Sequence, residues 1–331
     1  MDILWLILGL VLILGGANFL TDGSSAIARR MGISDLVVGL TVVAFGTSTP
    51  ELAISIMSAV QGNAPMAVGN VVGSNIFNIL AIIGLTAMVK PIVIERNVMT
   101  RQMPLMLLSA LVMLMLGNSG WINGDGVNEI SRVSGIFLDL MFIFFMIYTV
   151  GQAKSETPAE ARIETAELES PARKEKEEKH QKLWLSLVYI VGGLAALIYG
   201  GDRFVAGASG IARSLGMSDA MIGLTIVAVG TSLPELAASV MAAVKGHPGL
   251  AVGNVIGSNI FNVTLVLGAA ATILPLPFGG IGNVDLLTLV GASVLFILFG
   301  WWIKERTITR GEGALMFAAY VAYTAWLVSS I

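Results

Sequence analysis

Apolar residues form ten long runs along this chain, separated by short polar connections. A helix that crosses a bilayer needs roughly 20 apolar residues, so we predict ten transmembrane helices and an all-α integral membrane fold. The second and seventh runs are longer than one crossing requires, and each contains a Pro-Glu pair. The runs lie near residues 3–20, 34–60, 66–88, 103–117, 134–151, 183–202, 220–244, 250–274, 286–303 and 313–330.

The composition supports a membrane protein. Hydrophobic residues make up 55% of the 331-residue chain and charged residues only 12%, whereas a soluble domain carries about 25% charged residues. The net charge is −3, which leaves a nucleic-acid partner without support and makes the lipid bilayer the expected surrounding. The chain has no Cys, and both His180 and His247 fall in polar loops, so no cofactor and no thiolate metal site are expected.

Two sequence segments recur 184 residues apart. The segment Gly39–Ala53 returns as Gly223–Ala237 with three changes in fifteen positions. The segment Ala67–Leu80 returns as Ala251–Thr264 with three changes in fourteen. Each half of the chain therefore holds five predicted spans, and because five is odd, the second half must enter the membrane from the opposite side.

This arrangement predicts an inverted repeat with broken helices at the midplane. Residues 1–150 and 183–331 are the expected five-helix repeats, and residues 151–182 form a polar linker. Inverted repeats with a site near the bilayer midplane are the usual architecture of secondary transporters. The mixed charges of the linker indicate a solvated, partly helical segment.

The placement of Lys and Arg predicts the orientation in the membrane. With the N-terminus outside, nine basic residues of the short loops face the cytoplasm, and only Arg132, Arg203 and Arg213 face out. We therefore expect a multi-pass protein of the cell (inner) membrane, with both termini extracytoplasmic and the linker cytoplasmic. No basic residue precedes the first run, so we interpret that run as a retained helix and not as a signal peptide.

The recurring Pro-Glu segments carry unusual chemistry for a membrane helix. Pro50 lacks an N–H and clashes with the carbonyl of Gly46, so the helix should open there. Freed carbonyls at this depth are tolerated only where they line a cavity or hold an ion. Thr47, Ser48 and Glu51 add hydroxyl and carboxylate oxygens. The second copy supplies the carbonyls around Ala228 and Gly230, with Thr231, Ser232 and Glu235.

All these groups are hard oxygen ligands. Two Glu, two Thr hydroxyls and several carbonyls approach the about six to eight oxygens that Ca²⁺ takes. Na⁺ has a similar size and also prefers oxygen, and two carboxylates would neutralise one divalent cation. No Lys or Arg falls inside a span near Glu51 or Glu235, so an ion-pair partner for these costly membrane carboxylates is missing. A carrier that exchanges Ca²⁺ for Na⁺ fits this chemistry.

The Asn-rich segments add further oxygens. Polar residues recur there every four positions, which places them on one helix face; they are Asn70, Ser74, Asn78 and, in the second copy, Asn254, Ser258, Asn262. We expect Ser74, Asn78, Ser258 and Asn262 to belong to the site. Asn75 and Asn259 lie one residue off this face and should contribute less. Glycines at GxxxG spacing should let this helix approach the broken one; they are Gly69, Gly73, Gly253 and Gly257.

Other polar residues near the spans favour structural roles. Ser34 or Asp35, and Asp219 in the second copy, lie where the broken helices begin and should cap them. Asp139 lies inside the fifth run and has no counterpart in the second half. The glycine pairs 15–16 and 200–201 should be packing positions.

The repeated motifs resemble a known family. Residues 46–51 and 230–235 both read Gly-Thr-Ser-x-Pro-Glu, and each is followed by Gly-Asn-Val-x-Gly-Ser-Asn-Ile. These tracts resemble the α-repeats of the sodium/calcium exchanger family of cation/Ca²⁺ antiporters, in its prokaryotic form without a large regulatory domain. The resemblance covers both halves. It implies ten helices, four ion positions between the second, third, seventh and eighth of them, and switching of access by sliding of the first and sixth.

The resemblance also implies roles for individual residues. Glu51 and Glu235 would flank the Ca²⁺ site, and Thr47 and Thr231 would serve this site and its Na⁺ neighbours. The remaining Na⁺ ligands would be Ser48, Ser232, Ser74, Ser258 and the carbonyls of Ala44 and Ala228, with Asn78 and Asn262 at the central position. Some relatives carry Asp at one of these two Asn positions. The absence of that third carboxylate argues against K⁺ dependence and favours an electrogenic exchange of one Ca²⁺ for three Na⁺.

Alternative functions stay open at this point. Buried Glu residues can also titrate, so an exchanger of H⁺ for Ca²⁺ or another divalent cation is the nearest rival. A passive cation channel would also use hydroxyl and carbonyl oxygens. An intramembrane metalloenzyme would lack His or Cys ligands in the spans, so we expect a transporter and not an enzyme. Ca²⁺ and Na⁺ are the expected substrates, and protein partners are not indicated.

Overall fold

The computed structural model describes residues 1–124, 126–155, 183–216, 228–303 and 306–329. Helices hold most of these residues. The first half contains α1 (Asp2–Met31), α2 (Asp35–Thr47), α3 (Thr49–Val60), α4 (Ala64–Val89), α5 (Val98–Gly117), α6 (Ser119–Asn123) and α7 (Arg132–Ser155). The second half contains α8 (Leu183–Ser214), α9 (Ala228–Gly230), α10 (Leu233–Val244), α11 (Pro248–Ile273), α12 (Asn283–Leu298) and α13 (Arg310–Ser329).

Several of these helices include a π-helical turn. Such turns occur at Gly39–Val43 in α2, at Phe77–Ile82 in α4, at Val98–Gln102 in α5 and at Asn262–Val266 in α11, while Phe299–Ile303 continues α12. Single π-helical turns are frequent at functional sites. The turns of α4 and α11 contain Asn78 and Asn262, so the helices depart from regular geometry at the two asparagines predicted to be central ligands.

Within the described residues, seven helices are long and apolar enough to cross a membrane, namely α1, α4, α5, α7, α8, α11 and α12, and the bent pair α2–α3 would make an eighth. An all-helical, multi-pass membrane architecture is therefore confirmed, whereas the count of ten spans stays a prediction. The first part of the predicted seventh span, up to residue 227, lies outside the described residues, as does the linker from residue 156. Helices α1 and α8 extend beyond the predicted spans 3–20 and 183–202, to Met31 and Ser214.

Two short antiparallel β-pairs join the halves of the chain. Strand β1 (Ile92–Val93) pairs with β4 (Thr307–Ile308), with Ile92 opposite Ile308. Strand β2 (Glu129–Ile130) pairs with β3 (Leu276–Pro277), with Ile130 opposite Leu276. Ile92 and Leu276 stand at equivalent positions of the sequence repeat, 184 residues apart. Each pair thus joins a loop of one half to a loop of the other half.

Helices α4 and α11 lie at the centre of the protein, where 83% and 94% of their most apolar stretches are buried. Gly253 and Gly257 bring α11 against α2 as predicted, whereas the stretch of the second half that Gly69 and Gly73 of α4 should approach, up to residue 227, lies outside the described residues. A Cβ atom at Gly253 would lie 2.6 Å from the carbonyl oxygen of Leu36, and one at Gly257 would lie 2.8 Å from that of Leu40. This close backbone approach places α11 directly beside the broken helix of the first half.

A second set of glycines brings α1 and α8 into backbone contact. On α1 they recur every seven residues at Gly9, Gly16 and Gly23, and on α8 at Gly193, Gly200 and Gly207. A Cβ atom at any of the six would lie under 3.0 Å from the backbone of the partner helix. We call these six residues the glycine seam. The predicted packing role is confirmed for Gly16 and Gly200, whereas no atom lies within 4 Å of a Cβ built on Gly15.

Candidate functional site

The broken helix of the first half turns at a single residue. Helices α2 and α3 meet at an angle of 45°, and Ser48 between them has φ −82° and ψ 7°. Pro50 lies in the first turn of α3, where its missing N–H costs no helical hydrogen bond. The break is therefore at Ser48 and is shorter than the opening predicted around Gly46. Ala44 and Thr47 lie in the last turn of α2.

The second half repeats this geometry. The described part of helix α9 covers Ala228–Gly230, and α10 begins at Leu233. Ser232 at the turn has φ −94° and ψ 10°, close to the values of Ser48. In both copies a glutamate lies in the first turn of the following helix, Glu51 in α3 and Glu235 in α10. The same local sequence thus presents a serine and a carboxylate at each break.

The two breaks are connected crosswise by hydrogen bonds. Ser232 donates its hydroxyl to Oε1 of Glu51 at 3.1 Å, and Ser48 donates to Oε1 of Glu235 at 3.2 Å. Both glutamates are buried, with 0% and 1% of their surface exposed. The second oxygen of each carboxylate, Oε2, has no hydrogen-bond partner. Residues 187 and 181 positions apart in the chain therefore build one site.

Several other buried oxygens lack partners among the described residues. Besides Oε2 of both glutamates they include Thr231 Oγ1, Ser258 Oγ, Asn78 Oδ1, Asn259 Oδ1 and Asn262 Oδ1. Buried polar atoms are nearly always paired in folded proteins, so a concentration of unpaired acceptors on α4, α10, α11 and the breaks needs an explanation. A cation coordinated by oxygen supplies one, because it binds acceptors without needing a donor.

The charge at this site comes from the two glutamates. No ion pair joins either of them to a basic side chain within the described residues, whose described ion pairs are Arg203–Asp202, Lys245–Asp22 and His247–Asp35. In the same part of the chain, no group of three His, Cys, Asp or Glu side chains could hold a metal ion. Any cation bound here would meet two carboxylates and otherwise neutral oxygens.

The structure brings most of the predicted ligands together. Ser74 Oγ lies 3.2 Å from Ser232 Oγ, and because the single proton of Ser232 goes to Glu51, Ser74 is the donor of this bond. Thr47 lies 3.1 Å from Asn254 Oδ1 and 3.4 Å from the carbonyl oxygen of Ala44. Asn262 donates to Asn75 Oδ1 at 3.0 Å, across the contact between α11 and α4. The predicted residues of both halves thus form one buried polar network.

Two pairs of residues in this network were not assigned to the site from sequence. Asn70 donates to the carbonyl oxygen of Glu51 at 3.4 Å and to Ser55 Oγ at 3.1 Å. Asn254 donates to the carbonyl oxygen of Glu235 at 3.3 Å and to Ser239 Oγ at 3.0 Å. A signal was present, because both asparagines share the four-residue spacing of the predicted ligands and both serines follow a glutamate by four positions.

Asn75 and Asn259 connect the two halves behind the ligands. Asn75 donates to the carbonyl oxygen of Asn259 at 3.1 Å, while Asn259 donates to the carbonyl oxygen of Val255 in its own helix at 2.7 Å. Both asparagines are buried. The contact between Asn75 and Asn259 fixes α4 against α11 at the depth of the site.

One expectation at the edge of the site is wrong. Ser34 stands at the N-cap of α2 but makes no side-chain capping bond, and Asp35 instead contacts His247, with 2.5 Å between Oδ2 and Nδ1. His247 lies in the loop before α11, as expected, but is only 6% exposed, because it meets this carboxylate. Asp139 accepts a hydrogen bond from Thr272 at 3.1 Å, away from the glutamates. Asp219 and His180 lie outside the described residues.

Comparison with known proteins agrees with this geometry. The chain matches the family model described as sodium/calcium exchanger protein over residues 1–151 and 185–329. It is 38% identical to CaxA of Alkalimonas amylolytica over 333 residues, which covers 99% of this chain and 98% of CaxA. It is 32% identical to the sodium/calcium exchanger MaX1 of Methanosarcina acetivorans over 347 residues, 97% of each protein.

A solved structure extends the similarity to the fold. The sodium-calcium exchanger NCX_Mj aligns with this chain at a TM-score of 0.81 and 32% sequence identity, covering 98% of both chains. The family model and these similar proteins cover nearly the whole chain, including both broken helices. The family consists of transporters and not of enzymes. The chain therefore belongs to the sodium/calcium exchanger family.

Proposed function

We propose that this protein is a secondary antiporter that exchanges Ca²⁺ for Na⁺ by alternating access. The observation that carries the proposal is the buried crossing of the two breaks, where Glu51 and Glu235 each use one oxygen for a serine of the other half and keep the second oxygen unpaired. An unpaired buried carboxylate is costly in a membrane. A divalent cation between the two carboxylates removes that cost.

The hydrogen bonds of the two serines at the breaks support a division of the proposed ligands between a Ca²⁺ position and Na⁺ positions. Ser48 and Ser232 give their protons to the glutamates, so their oxygens retain lone pairs for a cation. We assign the Ca²⁺ position to Glu51, Glu235, Thr47 and Thr231. We assign the Na⁺ positions to Ser48, Ser232, Ser74, Ser258 and the carbonyls of Ala44 and Ala228, with Asn78 and Asn262 between them.

The charge at the site supports electrogenic exchange. Two carboxylates balance one Ca²⁺, whereas three Na⁺ in the same site leave one net positive charge. Each cycle of three Na⁺ against one Ca²⁺ would then move one charge across the membrane, which is worth about 2.3 kcal/mol per 100 mV. An inside-negative potential would therefore favour Na⁺ entry and Ca²⁺ extrusion.

The fold supports an inverted repeat as the frame of this mechanism. Residues 1–150 and 183–331 would form the two five-helix repeats around a cytoplasmic linker at 151–182, with both termini outside the cell (inner) membrane. The two β-pairs are equivalent to each other, since β1 and β3 occupy the same position of the repeat and each pairs with a strand of the other half. The contact of Ser186 with Gly23 and of Gly207 with Asp2 shows that α1 and α8 run antiparallel, as equivalent helices of an inverted repeat should.

The decisive experiment is a flux assay with purified protein in proteoliposomes. Vesicles loaded with Na⁺ are diluted into Na⁺-free buffer containing ⁴⁵Ca²⁺, and we expect Ca²⁺ uptake that depends on the Na⁺ inside the vesicles. For three Na⁺ leaving as one Ca²⁺ enters, an inside-positive potential set with K⁺ and valinomycin should accelerate uptake.

The other arms of the assay separate the rival functions. Uptake driven by a pH gradient in the absence of Na⁺ would show proton coupling and would overturn Na⁺ exchange. Uptake that needs no counter-ion would indicate a channel. Uptake that needs Na⁺ but ignores the potential would retain the antiporter and overturn the electrogenic stoichiometry.

A further inference from the structure

We propose that Asn254 is a positioning residue for ion binding, which acts by taking the hydroxyl proton of Thr47. This inference rests on the proposed function, because it concerns the same cation site. Its consequence is that two oxygens of the first half, Thr47 Oγ1 and the carbonyl of Ala44, keep lone pairs for a cation. Asn254 itself need not touch the ion.

The orientation of the Asn254 amide follows from its partners. The side chain is buried, with 1% of its surface exposed. Its Nδ2 atom lies 3.3 Å from the carbonyl oxygen of Glu235, and since a carbonyl can only accept, the nitrogen of the amide must face it. The oxygen Oδ1 therefore faces Thr47 Oγ1 at 3.1 Å. Because Oδ1 can only accept, Thr47 must be the donor.

Besides the carboxylate of Glu235, which also interacts with the Thr47 hydroxyl, the proton of Thr47 has one competing acceptor. A threonine hydroxyl carries a single proton, and the carbonyl oxygen of Ala44 lies 3.4 Å from Thr47 Oγ1. That carbonyl already accepts the backbone N–H of Ser48 at 3.0 Å, and a carbonyl has two lone pairs. A second bond from Thr47 would engage the remaining lone pair of Ala44. By accepting the proton at shorter distance, Asn254 leaves this lone pair available.

The first half provides an internal control. Asn70, the counterpart of Asn254, makes the same two donor bonds, to the carbonyl oxygen of Glu51 and to Ser55 Oγ. However, the hydroxyl of Thr231, the counterpart of Thr47, makes no hydrogen bond with Asn70 within the described residues and interacts with the carboxylate of Glu51 instead. Asn70 thus holds the backbone of a glutamate without orienting a threonine, and Asn254 does both.

This difference can be tested with matched substitutions in the full-length protein. Asn254→Leu and Asn70→Leu both remove a backbone bond, but only Asn254→Leu releases the Thr47 proton. In proteoliposomes we expect the Ca²⁺ concentration for half-maximal uptake to rise about tenfold for Asn254→Leu and about threefold for Asn70→Leu, because Asn254→Leu removes one hydrogen bond more, the one to Thr47. Asn254→Ala serves as a second variant should the leucine impair folding.

A double-mutant cycle distinguishes positioning from a purely structural role. In a Thr47→Val background the proton is absent, so Asn254→Leu should then cost no more than Asn70→Leu does. In a Thr47→Ser background the hydroxyl is retained, and the full effect of Asn254→Leu should persist. Equal effects of Asn254→Leu in the Val and Ser backgrounds would overturn the inference, as would equal effects of Asn254→Leu and Asn70→Leu.

A binding measurement keeps the test independent of transport. The rise in melting temperature caused by Ca²⁺ reports ion binding to the purified protein. We measure this rise for the wild type, for each single variant and for the double variants of the cycle. If the wild-type protein is stabilised by Ca²⁺ but shows no Na⁺-dependent uptake, the proposed function fails while the cycle still decides the role of Asn254. If the cycle shows no coupling while uptake is normal, the positioning role alone is overturned.

Discussion

The broken helices of the two halves share nearly the same sequence but not the same hydrogen bonds. In the first half, Thr47 is bonded to Asn254, whereas Thr231 in the second half makes no such bond to an asparagine among the described residues. Ser74 in α4 is bonded to Ser232, whereas its counterpart Ser258 in α11 has no hydrogen-bond partner in the described part of the chain. The residue types are thus equal on both sides, and the packing decides which oxygens are already engaged.

The difference teaches that the repeated sequence specifies a set of ligands and not a symmetric site. A carrier built from two inverted copies must hold them in unequal conformations whenever one face is open and the other is closed. Unequal hydrogen bonding of Thr47 and Thr231 is what such a carrier requires. Equivalent single substitutions, one in each half, test which residues of the site differ in their hydrogen bonding.

The largest effect should come from the two glutamates, which are alike in both halves because each accepts one hydrogen bond from a serine of the other half. Glu51→Gln and Glu235→Gln each keep the shape of the side chain and remove the charge that balances the cation. We expect each to lower Na⁺-dependent ⁴⁵Ca²⁺ uptake by at least about 100-fold, since mispairing a buried charge costs several kcal/mol. Glu129→Gln, which changes a carboxylate of β2, is the control and should leave uptake unchanged. Near-normal uptake in either site variant would contradict the assignment.

The threonines should separate the two halves. Thr47→Val leaves Asn254 Oδ1 buried without a donor, and we expect a loss of about 1–3 kcal/mol in stability. Thr231→Val leaves no asparagine without a donor among the described residues, so the stability should fall less. Thermal melting of both variants in ion-free buffer measures this directly. Equal losses for the two variants would show that their hydrogen bonding does not differ.

The serines at the breaks should show a smaller asymmetry. Ser232 contacts both Glu51 and Ser74, whereas Ser48 contacts Glu235. We therefore expect Ser232→Ala to raise the half-saturating Ca²⁺ concentration about tenfold and Ser48→Ala about threefold, according to the number of hydrogen bonds lost. Concentration series in proteoliposomes provide the values. A larger increase for Ser48→Ala than for Ser232→Ala would contradict this expectation and would mean that Ser48 makes the more important hydrogen bonds.

The smallest effect should come from Ser55→Ala and Ser239→Ala. Each serine accepts one bond from an asparagine of the neighbouring helix, at 3.1 and 3.0 Å. Losing that bond should lower the stability by about 0.5–1.5 kcal/mol, equally in both halves. Melting curves of the two variants, compared with wild type, test this. A clear difference between the two melting temperatures would show that the hydrogen bonds of the two halves also differ at these serines, one helical turn beyond the glutamates.

The membrane architecture and the core of the candidate site could be predicted from sequence because their chemistry is costly in a bilayer. Proline, glutamate and asparagine inside apolar runs have few structural explanations, and their duplication marked both copies. The crosswise bonds between Ser48 and Glu235 and between Ser232 and Glu51 could not be predicted, because they depend on how the two halves dock. The contact between Asp35 and His247, 212 residues apart, escaped prediction for the same reason.

Local details were also beyond the sequence. The break at Ser48 is one residue long because Pro50 falls in the first turn of α3 and not inside a continuous helix. The spacing of Asn70 and Asn254 indicated their helix face, but only the packing of that face against α3 and α10 shows that they hold the glutamate backbones.

The glycine seam has a consequence for the genetics of this protein. Because the backbones of α1 and α8 touch at six positions, a single added methyl group would separate two helices along much of their length. A Cβ atom at Gly16 would lie 3.1 Å from the Cβ of Ala196 and 2.7 Å from the carbonyl oxygen of Gly193. Because the two closest contacts are with backbone atoms, the oxygen of Gly193 and the nitrogen of Leu197, no side-chain substitution on α8 removes them, and revertants of a Gly16→Ala allele should restore glycine at position 16 instead of arising at Ala196.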